Sequence, residues 1–185
     1  MRYIVGFLIA LGLIVLVFIL ILKTFNSSSN VKPPTPLISY AGTNVEAELT
    51  IAGPITADQT HQALQIIVSQ NLNTINIIHG YQGTVTQTQT FPNNQAAYAV
   101  FLRAIDIAGF SQGGQPNATA NDQRGYCPEG NSYVYQIKNG SRDIEHYWST
   151  SCGNLGTFKG NVSVVNTLFE QQIPNLNILT ANLNF

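Results

Sequence analysis

The sequence predicts an α+β protein: an N-terminal transmembrane helix, then an antiparallel sheet of about six strands covered on one face by two helices. Two observations carry this prediction. Residues 3–22 form an apolar run without a charged side chain. The remaining chain shows segments of alternating and helical hydrophobicity in the order four strands, helix, two strands, helix, which is typical of an α+β arrangement.

The apolar run is as long as a bilayer core is thick, which takes about 20 helical residues. Arg2 precedes it and Lys23 follows it, so the charge balance favours a cytoplasmic N-terminus. A cleaved signal peptide is the alternative, but no small-residue cleavage site follows. We therefore expect three parts: a transmembrane signal anchor (1–23), a Ser/Pro-rich linker (24–36) and an extracytoplasmic α+β domain (37–185).

Four segments in the first half of the domain predict strands. Residues 45–51 alternate apolar and polar side chains and end at Gly53-Pro54. Residues 61–69 and 74–81 are two further strands joined by a tight polar turn. Residues 84–90 alternate threonine with glutamine or valine, which favours an edge strand or a solvent-facing strand.

Two segments predict helices. The first begins near residues 91–94 with Asn as the N-cap, and Gly109 is its expected C′ residue. The second is expected to extend over 161–173, ended by Pro174, and the tail is expected to add a short strand or to pack beside that helix. Between the first helix and the next strand, residues 110–125 form a long polar loop, a kind of loop that is often functional or mobile.

Residues 126–153 predict a β-hairpin with a cysteine near each end. Asn139-Gly140 is a strong signal for a type I′ turn, because both residues tolerate φ > 0. The register that this turn sets places Tyr135 opposite Ile144 and Cys127 opposite Cys152. We therefore expect a Cys127–Cys152 disulfide, which in turn indicates an oxidising compartment.

The same register sorts the hairpin side chains onto two faces. The interpretation is that His146 is buried and hydrogen-bonded beneath Tyr133, which needs no catalytic role. The predicted core face comprises Tyr133, Tyr135, Ile137, Ile144, His146 and Trp148.

Three stretches of the sequence, RGYCPEGNSYVYQI, HYWSTSCG and LFEQQIP, are similar to a family of uncharacterised single-pass membrane-anchored extracytoplasmic proteins of small-genome bacteria. In that family a Cys-Pro near the start of a hairpin and a Trp-Ser-x-Ser-Cys near its end follow an apolar N-terminal helix. The resemblance implies the same anchoring and the same disulfide, and it brings no known chemistry.

Composition and spacing argue against several activities. Charged residues make up only 9% of the chain and the net charge is −1. The sequence therefore shows no basic patch of the kind that binds nucleic acid. The three histidines lack metal-ligand spacing, no glycine loop has the pattern of a phosphate site, and we expect neither a metal nor a cofactor. The carboxylates considered for glycosidic cleavage are Asp122, Glu129, Asp143 and Glu145, and they are interpreted as solvated.

Binding has more support than catalysis. Asp122 and Arg124 lie in the long loop and Tyr126 at its junction with the hairpin, a combination that can hold a glycan or a peptide by stacking and hydrogen bonding. The prediction is therefore a membrane-anchored binding or structural module of the cell envelope, with residues 84–90 as a candidate for β-addition if the module is structural. The alternative is an enzyme acting on cell wall or thiols through Cys152.

Overall fold

The computed structural model describes residues 35–114, 122–153 and 156–183, and from Thr35 onward the chain forms one compact unit. The predicted signal anchor (1–23) and most of the linker lie outside the described residues. Among the residues that are described, no helix has both the length and the apolar character needed to cross a membrane.

A six-stranded antiparallel sheet is the centre of the unit, as predicted, with the strand order β4-β3-β2-β1-β5-β6. The strands β1 to β4 form a meander, and the β5–β6 hairpin pairs with the free side of β1. The bounds of the strands are β1 Val45–Ala52, β2 Gln62–Val68, β3 Leu72–His79, β4 Thr84–Pro92, β5 Ser132–Asn139 and β6 Arg142–Thr150.

The helices pack on one face of this sheet. They are α1 Gln95–Ile107, α2 Val162–Glu170 and the single turn α3 Leu176–Leu179, and a 3-10 turn, Leu37–Tyr40, precedes β1. Alternate residues of each central strand enter the core, because successive side chains of a strand point to opposite faces. The fully buried part of this core includes Leu37, Val45, Ala47, Leu49, Ile66, Val68, Tyr98, Leu102, Ile105, Phe110, Tyr135, Ile137, Val165 and Phe169.

Helix α1 begins and ends where the sequence predicts. The Asn94 side chain accepts a hydrogen bond from the Ala97 amide at 3.0 Å, as an N-cap does. Gly109 adopts φ +87° just after the helix, the left-handed conformation that favours glycine at C′. Inside the helix, the buried Tyr98 hydroxyl donates to the Val45 carbonyl at 2.8 Å and so ties α1 to β1.

Helix α2 also has an asparagine N-cap, since Asn161 accepts from the Val164 amide at 3.1 Å. It ends at Glu170, earlier than the predicted residue 173. Over the described residues up to 183, the tail forms α3 and no strand, so the expected short strand is wrong for this part. Its leucines 176, 179 and 183 lie against the core cluster.

The hairpin turn differs from the prediction. Asn139 pairs with Arg142, so Gly140 and Ser141 are the central residues. Gly140 has φ +59°, whereas Ser141 has no positive φ. A type I′ turn needs φ > 0 at both central positions, so glycine at the first position indicates the type II′ pattern instead.

A bulge then shifts the register a second time. Lys138 pairs with Asp143 but Ile137 pairs with Glu145, which leaves Ile144 as the extra residue. Tyr135 therefore lies opposite Tyr147 and not opposite Ile144. Because one extra residue exchanges the two faces of a strand, β6 is reversed relative to the prediction.

The predicted burial of His146 beneath Tyr133 is consequently wrong. His146 lies opposite Gln136 on the face away from the helices, and its Nδ1 is 3.0 Å from Asp143 Oδ2. Trp148 lies on that same face, while Tyr147 takes the core position.

The Cys127–Cys152 disulfide is confirmed, with the two Cα atoms 5.7 Å apart. It does not close a ladder pair, because the β5–β6 ladder ends at Ser132 and Thr150. Residues 127–131 instead loop back towards Cys152, and the Ser151 amide donates to the Asn131 carbonyl at 2.9 Å. The prediction was right about proximity even though its register was not.

Candidate binding face

The face of the sheet opposite the helices, called here the open face, carries mostly polar side chains. Each of the described helices directs its core residues to the other face. The register assigns the following residues to the open face: Glu46, Glu48, Thr50 and Ala52; Ala63, Gln65 and Ile67; Thr74, Asn76 and Ile78; Val85, Thr88 and Thr90; Ser132, Val134, Gln136 and Lys138; Asp143, His146, Trp148 and Thr150.

A chain of hydrogen bonds joins five strands of the open face. Thr88 donates to Asn76 Oδ1 at 2.8 Å, and Asn76 Nδ2 donates to Gln65 Oε1 at 2.9 Å. Gln65 Nε2 donates in turn to Glu48 Oε2 at 3.3 Å. Lys138 Nζ completes the chain, 3.3 Å from Glu48 Oε1. The amide groups are thus held in one orientation, and each keeps one N–H that these bonds do not use.

A second group continues across the hairpin. Asp143 accepts from Gln136 Nε2 at 3.2 Å and contacts His146 Nδ1 at 3.0 Å. With the first chain, these side chains place polar groups on all six strands. We call the two groups together the polar array.

Glu48 lies at the centre of the array and is only 4% exposed. Burial raises the pKa of this carboxyl above its usual range, although Lys138 and its hydrogen bond act in the opposite direction. Burial is thus the larger of the two influences on the pKa of Glu48.

One end of the open face is bordered by the segment 122–130. The Tyr126 ring lies over Trp148 with the ring centroids 5.0 Å apart, and it leaves half of its own surface exposed. The disulfide through Cys127 holds this segment, and the Ile55 amide donates to the Pro128 carbonyl at 2.8 Å. The exposed Tyr126 ring therefore belongs to a segment that the disulfide and this hydrogen bond hold in place.

A groove of about 160 Å³ lies beside this segment. Ala52 and Ser132 of the open face line it, with Tyr81 and Arg124 among its other residues. Tyr81 is held firmly, because its hydroxyl accepts from the Thr56 amide at 3.1 Å and donates to the Thr56 carbonyl at 2.8 Å. Its ring stacks on His61 at 4.1 Å and remains half exposed.

The predicted binding residues occupy this border. Arg124 lines the groove, and it pairs with Asp122 through two hydrogen bonds of 2.8 and 2.6 Å. These bonds lower the pKa of Asp122 to about 2. Tyr126 lies nearby on the same segment. That these residues bind a ligand stays a prediction.

Sequence reasoning missed the array itself. Gln65, Asn76 and Thr88 lie on three different strands. The polar residues of each strand indicate only that a side of that strand faces solvent, and not which side chains of other strands lie beside it. Their alignment depends on the pairing registers of β2, β3 and β4.

The residues considered for catalysis have other surroundings. Cys152 is bonded to Cys127, and the described residues contain no free cysteine. The thiol that the enzyme alternative needs is therefore available only after reduction.

Glu145 was interpreted as solvated, but the structure half buries it on the helix side, where Oε1 accepts from the Ser111 hydroxyl at 3.0 Å. Burial raises the pKa of this carboxyl. Within the described ranges, no group of three or more His, Cys, Asp or Glu side chains is arranged to hold a metal ion.

No protein-family model matches this chain, and no curated protein sequence matches it significantly. The similarity to the membrane-anchored family stays a prediction.

Proposed function

We propose that this protein is an extracytoplasmic binding module that holds a glycan of the cell envelope on the open face of its sheet. The single observation that carries the proposal is the polar array, which spans all six strands. Glycan hydroxyls both donate and accept hydrogen bonds, so they suit a surface of amides and hydroxyls whose orientations are already fixed. Such preorganisation lowers the entropic cost of binding.

The aromatic border supports a glycan over a peptide. Tyr126 presents an exposed ring at the end of the open face, and a sugar ring can stack on it while its hydroxyls reach the array. Arg124 lines the adjacent groove, and its guanidinium N–H groups that Asp122 does not use can donate to glycan hydroxyls.

The location belongs to the same proposal. The apolar run 3–22 supports anchoring in the cytoplasmic membrane, with the domain outside the cytoplasm. The disulfide supports an oxidising compartment.

Calorimetric titration of the unit from Thr35 to Phe185 with a short linear oligomer of N-acetylglucosamine, and co-sedimentation with cell-wall sacculi, test the proposal. Asn76→Ala removes the link between Thr88 and Gln65, and we expect affinity to fall about tenfold, which corresponds to about 1.4 kcal/mol. Tyr126→Ala is expected to lower the glycan affinity by a similar factor. Gln95→Ala, at an exposed polar residue that begins α1 on the helix side, is the matched control and is expected to bind like the native protein.

Two results would contradict the proposal. The first is no binding of the native unit to either the oligomer or the sacculi. The second is binding that neither Asn76→Ala nor Tyr126→Ala weakens. Capture of a protein partner by the open face, with no glycan affinity, would replace the glycan by a protein ligand.

A further inference from the structure

The edge strand β6 pairs with another segment of the chain, whereas the edge strand β4 pairs with no other described segment on its outer side. The outer edge of β6 is covered by the chain itself: the Phe158 amide donates to the Trp148 carbonyl at 3.0 Å, and Ser149 forms a bridge with Gly156. At the other edge, no segment of the described chain pairs with the outer side of β4. Eight of the nine residues of β4 are exposed.

The β4 edge also lacks the usual charge protection. Edge strands of soluble proteins commonly carry lysine or other charged residues that oppose pairing with another chain. Residues 80–94 contain no charged side chain. A bulge at Thr86 interrupts the β3–β4 register, but the five residues from Gln87 to Phe91 pair regularly with β3.

The sequence of this regular part is self-complementary. An antiparallel pair centred on Gln89 places Gln89 opposite its own copy and Thr88 opposite Thr90 of the second copy. Thr–Thr pairs across antiparallel strands are favourable, and no like charges meet. A two-fold axis perpendicular to the sheet keeps the helices of both copies on one side.

We propose that β4 pairs with β4 of a second copy of this chain, so that two sheets join into one and the two open faces become a single continuous surface. Thr88 ends the hydrogen-bonded chain of the array at the β4 edge. Across the new axis it lies opposite Thr90 of the other copy, which points to the same face. The joined surface doubles the length over which one polymer can be held.

The test is a charge exchange at the strand pair, made in the full chain in detergent micelles and read as mass by light scattering over a concentration series. The native chain is expected to show twice the monomer mass as concentration rises. In an antiparallel β4–β4 pair centred on residue 87, 88 or 89, the Gln87→Lys/Gln89→Lys variant places a lysine of one copy opposite a lysine of the other. We therefore expect this variant to remain monomeric. Gln87→Glu/Gln89→Glu is expected to remain monomeric for the same reason.

An equimolar mixture of these two variants is expected to recover the dimer mass, because opposite charges then meet at the pair. The matched control is Val100→Lys/Ile107→Lys, which adds the same charges at exposed positions of α1 and is expected to dimerise like the native chain. Circular dichroism of each variant shows whether it is folded.

The proposal is overturned if the native chain stays monomeric throughout the series, or if the lysine variant dimerises as well as the native chain. It is also overturned if the two folded variants stay monomeric when mixed. Glycan affinity is measured separately on the Thr35–Phe185 unit, so failure of dimerisation and failure of glycan binding are distinguishable.

Discussion

Gly130 lies where the disulfide, the end of β6 and the segment 122–130 meet, and we predict that its substitution by alanine destabilises the protein more when the disulfide is present than when it is absent. A Cβ atom built at Gly130 would lie 2.6 Å from Cys127 Sγ and 3.2 Å from Cys152 Sγ, and it would overlap Ser151 Oγ. Gly130 is not in the left-handed region of φ, so the penalty comes from space and not from backbone strain.

The magnitudes follow from packing and from chain entropy. Overpacking by one methyl group in a tight site costs about 1–3 kcal/mol, so we expect this loss for Gly130→Ala in the oxidised protein. The disulfide joins residues separated by 25 positions. Closing a loop of that length removes chain entropy worth about 3.5 kcal/mol from the unfolded state, so Cys127→Ala/Cys152→Ala is expected to lose about that amount.

A double-mutant cycle measured by urea denaturation of the Thr35–Phe185 unit tests both numbers. In the cysteine-free background the two sulfur atoms are gone but Ser151 Oγ remains, so Gly130→Ala is expected to cost about 1 kcal/mol less than in the oxidised protein, which is the coupling free energy. The reasoning is refuted if Gly130→Ala costs the same in both backgrounds. A loss below about 1 kcal/mol for the cysteine-free protein would refute the loop-entropy argument.

Three further predictions concern the free energy of unfolding, each measured by urea denaturation. Because folding raises the pKa of the Glu48 carboxyl, the folded state binds this proton more tightly than the unfolded state does. This contribution to the free energy of unfolding is complete below the ordinary pKa of 4.5 and is lost as pH rises through the pKa of the folded state. Glu48→Gln is therefore expected to match the native protein near pH 4 and to exceed its stability at pH 7; lower stability at pH 7 would show that the Lys138 ion pair outweighs burial. Tyr98→Phe leaves the Val45 carbonyl without its 2.8 Å donor and is expected to cost about 1 kcal/mol, against no change for Tyr126→Phe at an exposed ring. Asn94→Ala removes the α1 N-cap and is expected to cost about 1 kcal/mol, whereas Asn94→Ser is expected to retain most of the stability; equal losses would exclude capping as the cause.

Local patterns were sufficient for the elements themselves. Alternation identified β1 and β4, and an asparagine N-cap identified the start of α1. The Thr/Gln alternation of residues 84–90 indicated an edge strand, and β4 is at the edge. These predictions succeed because capping and alternation depend on residues within a few positions of one another.

The hairpin shows where local patterns fail. The turn at Gly140-Ser141 and the extra residue Ile144 each move the register, and the bulge exchanges the faces of β6. No residue in the hairpin sequence marks that bulge. The Cys127–Cys152 pairing was still predicted correctly, because a disulfide requires proximity of two cysteines and not a perfect ladder.

By itself, therefore, the sequence determined the α+β class with its six-stranded antiparallel sheet, the positions of most elements and the disulfide, while a binding role for Arg124 and Tyr126 stays a prediction. Only the tertiary structure decided that Thr88, Asn76, Gln65 and Glu48 form one array, and that His146 and Trp148 lie on the open face. The physical reason is that the array depends on the pairing registers of four successive strands and, through Lys138, on the pairing of β1 with β5, which lies far away in the chain. A shift of one residue in any of those pairings reverses a whole strand, so the face that a side chain joins is fixed only when the complete sheet is assembled.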